Sequence, residues 1–331
     1  MTLAKGSAFC VFLAILSAVV ALISLRTGAV PISWREMVGG GDSVGSMVFQ
    51  TMRVPRLLLG FLCGGALGLC GAAMQGLFRN PLADPALVGV SGGAALGAVA
   101  AIVLGGPFLS HSIYILPAAA FFGALAAAIL VHVIATRGVR VDVPTLLLAG
   151  IAINAFAGAG IGWMIYGATD SQLRDFTFWS LGSLAGAGWD ATLGCLPFVV
   201  VAAGLLAFRA RALNALALGE SNAWHLGVSI EGVKHAVLAA TAFAVGAVTA
   251  FTGTIGFIGL VAPHLVRLAV GADHRLVLPG SFIIGGCLLC AADVIARTAR
   301  APAEIPVGIV VASLGAPFFL GLLLREKRAR A

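Results

Sequence analysis

The sequence predicts an all-α polytopic membrane protein, and three observations carry that prediction. Sixty per cent of the 331 residues are hydrophobic and only 10% charged, with a mean hydropathy of +1.06, whereas a soluble domain carries about 25% charged residues. The charges sit in short clusters between long uncharged runs. Those runs lack the period-2 alternation of a barrel strand and exceed its length of roughly 10 residues, so their backbone N–H and C=O groups must be paired within helices. The 44 glycines fit the same picture, since small residues let membrane helices approach closely.

A crossing needs about 20 apolar residues. The first candidate, 8–25, follows a single Lys5 and has no small-x-small cleavage site before Arg26, so it reads as a retained span rather than a signal peptide. Segments 57–78, 144–167, 191–208, 277–296 and 305–324 also qualify directly. Pro85–Thr136 contains no Asp, Glu, Lys or Arg and is too long for one crossing. Turn-forming residues from Gly105 to Ser112 divide it into 86–104 and 114–135. Ala236–Val266 is equally uncharged and would make a rod of about 46 Å at 1.5 Å per residue. Thr252-Gly253-Thr254-Ile255-Gly256 breaks it into 236–254 and a short 257–271, irregular around Pro263. The prediction is ten spans with both termini on one side. Thirteen Lys and Arg fall on that side, including Lys5, Arg79, Arg137, Arg140, Lys234 and Arg325, against seven on the other, which makes the termini cytoplasmic.

The exceptions to that bias carry information. Four of the seven outer arginines come as two pairs, Arg53/Arg56 and Arg297/Arg300, each at the outer end of a span. They are either snorkelling to the interface or a basic rim that receives an acidic partner. Among the outer loops 26–56 and 168–190 are the longest, and Phe176–Gly188 is aromatic-rich and weakly polar, so it re-enters or lies along the interface. Inside, 209–235 is the largest soluble piece and carries Leu213, Leu216, Leu218, Trp224, Leu226 and Val228 among polar residues. Exposed apolar residues in such a segment call for a covering partner. The net charge of +7 is accounted for by this membrane asymmetry and does not point to nucleic acid.

The motifs narrow the chemistry. No Gly-Lys-Ser/Thr phosphate loop is present, so any ATP hydrolysis belongs to another polypeptide, with 209–235 as its dock. The six histidines are scattered and form no acid–base or chelating constellation, so no enzyme is expected. The six cysteines lie in apolar runs, and Cys287-x-x-Cys290 lacks a second pair, so neither disulfide nor metal is expected. An ion-coupled secondary transporter would need charged residues at mid-depth, and only Asp293 qualifies loosely, near the outer end. Asn80-Pro81-Leu82-Ala83-Asp84-Pro85 forms a rigid turn between the second and third spans, with Asp84 as N-cap. His264 invites a relay reading that Arg267, three residues on, disfavours, and Gly256 and Pro263 shape that segment. Glu304 opens the last span, with Pro306 in its first turn and Arg297 or Arg300 as its expected partner.

These segments together carry a resemblance. RVPR at 53–56, GAAMQGLFRNPLADPALVGVSGGAALG at 71–97, GTIGFIGLVAPHLVRLAVGADHR at 253–275 and AEIPVGIVVASLGAPFFLGLLL at 303–324 resemble the permease subunits of ABC importers for iron-siderophores, haem and cobalamin. The resemblance covers nearly the whole chain as one permease domain, 1–331, with 209–235 as a coupling loop within it. It implies a homodimer in the bacterial inner membrane, two ATPase subunits beneath it holding ATP and Mg, a periplasmic binding protein above it, and no cofactor on this chain. It places Arg53, Arg56 and Arg297, with Arg300 less securely, opposite acidic residues of the binding protein. Leu218, Gly219, Glu220, Ala223, Leu226 and Gly227 would lie in the coupling helices. Along the dimer interface Asn154, Phe156, Trp163, Met164 and Tyr166 are candidate path residues. Haem is the first expected cargo, a ferric siderophore next and cobalamin third.

Overall fold

The computed structural model describes residues 3–28, 33, 43–105 and 112–330. Arg35 and most of the expected turn at 105–112 lie outside the described residues, as do the side chains of Lys5 and of the basic run from Arg325. The elements in chain order are α1 (Leu3–Arg26), α2 (Val44–Val48), α3 (Val54–Phe78), α4 (Val90–Leu104), α5 (Ile115–Ala135), α6 (Val143–Tyr166), α7 (Asp170–Ser180), α8 (Trp189–Ala207), α9 (Ala210–Ala217), α10 (Glu220–His225), α11 (Ile230–Thr252), α12 (Ile258–Val270), α13 (His274–Thr298) and α14 (Val307–Arg330). A π turn, Phe49–Arg53, joins α2 to α3, and a two-stranded hairpin, Thr136–Arg137 with Arg140–Val141, joins α5 to α6. Every predicted span falls on a helix. Among the described residues, seven helical runs are long and apolar enough to cross a bilayer, and 90–104, 258–270 and 307–321 are shorter apolar helices.

The core forms around α3, whose residues from Leu59 to Leu77 are almost continuously buried. It is packed by α8, α11, α12 and α13. Glycine makes this possible: a methyl group on Gly64 would sit 2.3 Å from the carbonyl oxygen of Gly285, and one on Gly285 equally close to that of Gly64. The α3 and α13 backbones therefore touch, as expected where small residues line a helix crossing. By contrast, α1 and α6 leave most of their apolar side chains uncovered, Phe12, Ile15, Phe156 and Trp163 among them.

Several boundaries differ from the predicted ones, each for a local reason. The third span starts at Val90 rather than 86, because Asp84 first caps a 3₁₀ turn, Pro85–Val88, and Gly89 then reverses the chain at φ +80°. The last helix starts at Val307, leaving Pro306 just outside it instead of in its first turn. The segment 209–235 is two short helices and the start of α11 rather than a loop. The segment Phe176–Gly188 packs back against the rest of the chain. Beyond α7 the chain turns at Gly182 (φ +69°), Ser183 N–H donates to the Thr252 carbonyl at 2.7 Å, and Leu184 is buried.

Candidate docking and coupling sites

At the end of the molecule where α1 stops and α3 begins, arginines and carboxylates form one network. Pro55 cannot donate to the helical ladder, and the backbone there widens into the π turn, with Val54 N–H bonded to Phe49 O. Arg53 and Arg56, three residues apart, then share a face. The Arg53 Nη1 donates to the carbonyls of Leu25 (2.6 Å) and Arg26 (3.0 Å), and Arg297 Nη2 donates to the carbonyl (2.7 Å) and hydroxyl (2.9 Å) of Ser24. The last turn of α1, whose carbonyls have no helical partner, is thus closed by two guanidiniums, from the π turn before α3 and from α13. Positive charge is favourable at that end of the helix dipole.

Between them stands Asp293, 3% exposed. It accepts from Arg56 Nε (3.1 Å) and Nη2 (2.8 Å) and lies 3.4 Å from Arg297 Nε. Glu304 takes the other edge of Arg56, Oε1 to Nη1 and Oε2 to Nη2, both at 2.9 Å. The expected partner of Glu304 was Arg297 or Arg300, but Arg56 holds it, because α13 turns Arg297 inward to Ser24. Arg53 and Arg297 are buried and Arg56 is held by carboxylates, so three of the four arginines are tied into a network within the chain. Arg300 alone of the four is exposed.

The opposite end has a second ion cluster. Lys234, in the first turns of α11 and only 4% exposed, donates to the Val141 carbonyl (2.9 Å) and pairs with Glu231 (3.1 Å) and Glu220 (3.2 Å). Glu231 in turn accepts from Val141 N–H at 2.7 Å, tying the hairpin to α11. Gly219 (φ +105°) and Gly227 (φ +78°) bracket α10 in backbone conformations that suit glycine. Ala223 is buried, while Leu218, Trp224 and Leu226 are each about two-thirds exposed. Asn214 of α9 donates to Asp273 (2.7 Å) and accepts from His274 N–H (2.8 Å), which fixes the pair of short helices to the start of α13. Hydrogen bonds and charge from Arg275 hold the Asp273 carboxyl down at about 2. Beside α10 opens a cleft of about 1120 Å³, bounded by Arg79, Arg137, Arg140, Glu220, Trp224 and Lys234. Asn214 was not named in the sequence, and Lys234 counted there only toward the charge asymmetry. A lysine three residues after Glu231, at the head of an apolar helix, was the available signal.

The turn at 80–85 is built as predicted: Asn80 accepts from Leu82 N–H (2.9 Å) and Asp84 from Ala86 N–H (2.8 Å), and burial pushes the Asp84 carboxyl up. Of the candidate path residues, Phe156, Trp163 and Tyr166 are 72–89% exposed on α6. The other two face inward. Asn154 donates to the Ala86 carbonyl at 3.1 Å, and Met164 packs against a cluster that includes Val99, Ile102 and Phe176. Gly256 lies in the break before α12, and Pro263 is buried inside that helix. Arg267 donates to Gln75, whose amide donates to Gly259 O (3.1 Å), while His264 meets Phe318 edge-on at 6.2 Å.

Comparison with known proteins agrees with this architecture. Residues 15–325 match the FecCD transport family. The hemin transport system permease protein HmuU of Yersinia pestis is 43% identical over 97% of this chain and 96% of its own. The cobalamin import system permease protein BtuC of Halobacterium salinarum is 43% identical over 88% and 77%. A solved structure assigned as a metal-chelate type ABC transporter, in an inward-facing conformation, superposes with a TM-score of 0.85 at 31% identity, covering 95% of this chain and 97% of that one. The chain belongs to the FecCD transport family.

Proposed function

We propose that this chain is the membrane-spanning permease subunit of an ATP-binding-cassette importer that moves haem, or a ferric siderophore, from a periplasmic binding protein into the cytoplasm. The observation that carries the proposal is the end-to-end similarity to a hemin permease. In this reading the chain crosses the bacterial inner membrane ten times with both termini inside and pairs with a second copy. It works with two ATPase subunits that hold ATP and Mg. The exposed apolar residues Leu218, Trp224 and Leu226 on and beside α10 support a partner on that face, because a patch of this kind marks an interaction surface. ATP-driven closure of the ATPases would push α9 and α10, and these lie between α8 and α11, so the displacement would tilt two spans as rigid bodies. Phe156, Trp163 and Tyr166 would line the path along the dimer axis, where few fixed polar contacts let an apolar chelate leave as readily as it enters.

At the outer end, Arg56 and Arg300 would meet acidic residues of the binding protein, with Arg53 and Arg297 holding the platform from beneath. Asp293 is an unsuitable coupling residue for ion-driven transport, since two guanidiniums already neutralise it. Cobalamin is the second reading, favoured by the halobacterial permease at equal identity. Proteoliposomes holding the permease and its ATPase, supplied with binding protein loaded with haem, a ferric siderophore or cobalamin, decide between them. Haem should give the largest ATP-dependent uptake. Uptake of cobalamin alone would move the assignment to the second reading, and uptake without ATP would refute the importer.

A further inference from the structure

Both edges of the Arg56 guanidinium are already engaged from within the chain. A guanidinium offers N–H donors along two usable edges, and here a carboxylate covers each: Asp293 on the Nε edge, Glu304 across Nη1 and Nη2. The two carboxylates are not equivalent. Asp293 is buried and shared with Arg297, whereas the Glu304 side chain is 37% exposed and stands on the short connection between α13 and α14. We infer that Glu304 is an internal stand-in for a carboxylate of the binding protein, and that docking is an exchange at the outer edge of Arg56. Glu304 leaves to water as an Asp or Glu of the partner takes its two N–H groups. The inference rests on the docking reading given above.

Physical reasons favour exchange over simple addition. A third carboxylate could not take a two-point grip on Arg56 without displacing one of the two present, and only Glu304 can move into water. Asp293 holds the guanidinium in place while its other edge changes partners. One bidentate charge-assisted pair replaces another, so releasing Glu304 offsets part of the affinity that the new pair supplies, and the contact also sets register, as charged contacts across interfaces do. Arg53 and Arg297 cannot take the same part, because both are buried and hold the last turn of α1. Arg300, exposed on the same connection as Glu304, would steer the approach.

The test measures binding of the haem-loaded cognate binding protein to the complete permease–ATPase complex in nanodiscs. Glu304→Gln removes the competing charge and should tighten Kd about tenfold, mostly through a faster on-rate that 0.5 M salt suppresses. Arg56→Gln should weaken binding by at least about tenfold. If Arg56→Gln weakens binding but Glu304→Gln leaves it unchanged or weaker, the exchange is wrong and the docking reading stands. If Arg56→Gln binds like the wild type, the docking reading fails and takes the exchange with it. Should Arg56→Gln fail to assemble, Arg56→Lys keeps the charge without the second edge, and Glu304→Gln should then gain less in that background than in the wild type. An equal gain would contradict the exchange.

Discussion

The two ends of the molecule each carry a buried ion cluster, and they use it in opposite ways. At the end where α1 stops, Arg53, Arg56 and Arg297 turn their charge inward, closing the last turn of α1 and clamping α3, α13 and the lead into α14. At the opposite end, Lys234 draws Glu220 and Glu231 together beside α10, on and next to which Leu218, Trp224 and Leu226 are exposed. One cluster locks helices to each other; the other displays an apolar face. The difference shows that a basic residue near a membrane boundary is not in itself a docking group. Its partners decide whether it holds the scaffold or supports a contact surface.

Breaking each cluster in turn should separate these roles. The largest effect is expected from Asp293→Asn, which leaves two guanidiniums around a neutral amide in a buried site. Breaking such a pair costs about 3–5 kcal/mol, and thermal unfolding of the purified complex should fall accordingly, with α1 becoming protease-sensitive first. Lys234→Met comes next, because its carboxylate partners are partly in water. It should cost about 2 kcal/mol, below the range for fully buried pairs, and release the ATPase subunit on purification. Trp224→Ala sharpens the comparison further. Stability should stay within about 0.5 kcal/mol, as for an exposed site, while ATPase affinity should fall at least about tenfold, as for an aromatic anchor at an interface. If Trp224→Ala unfolds the protein instead, the apolar face of α10 is structural. The smallest effect concerns acid. The depressed Asp273 carboxyl contributes stability that is fully present above the usual aspartate range near pH 4 and is lost as pH falls through about 2. Protease resistance of the α9–α10 segment should therefore be unchanged between pH 7 and pH 5.

The helices were legible because uncharged runs of bilayer length permit no other structure, and the run from Ala236 broke at Gly253–Gly256, as its glycines predicted. The turn at Asn80–Pro85 was equally legible, since its hydrogen bonds are local. What escaped the sequence was tertiary pairing. Glu304 lies a few residues from Arg297 and Arg300 yet binds Arg56, 248 residues away, because the orientation of α13 is set by its glycine contact with α3. Asn154 looked like a path residue but ties α6 to the turn before α4. The segment 209–235 was recognisable as an apolar face in need of cover. Its support was not, because the bond from Lys234 to Val141 depends on how the α5–α6 hairpin folds back.

The most direct test of the contrast between the two ends is accessibility of a single cysteine at Ser221, which is exposed on α10. It should be placed in a Cys10→Ala background, since the other native thiols are buried. In oriented membrane vesicles, the account expects a membrane-impermeant maleimide to label it only from the cytoplasmic side, with labelling suppressed when the ATPase subunit is bound. Labelling from the periplasmic side, or full labelling with the ATPase in place, would contradict it.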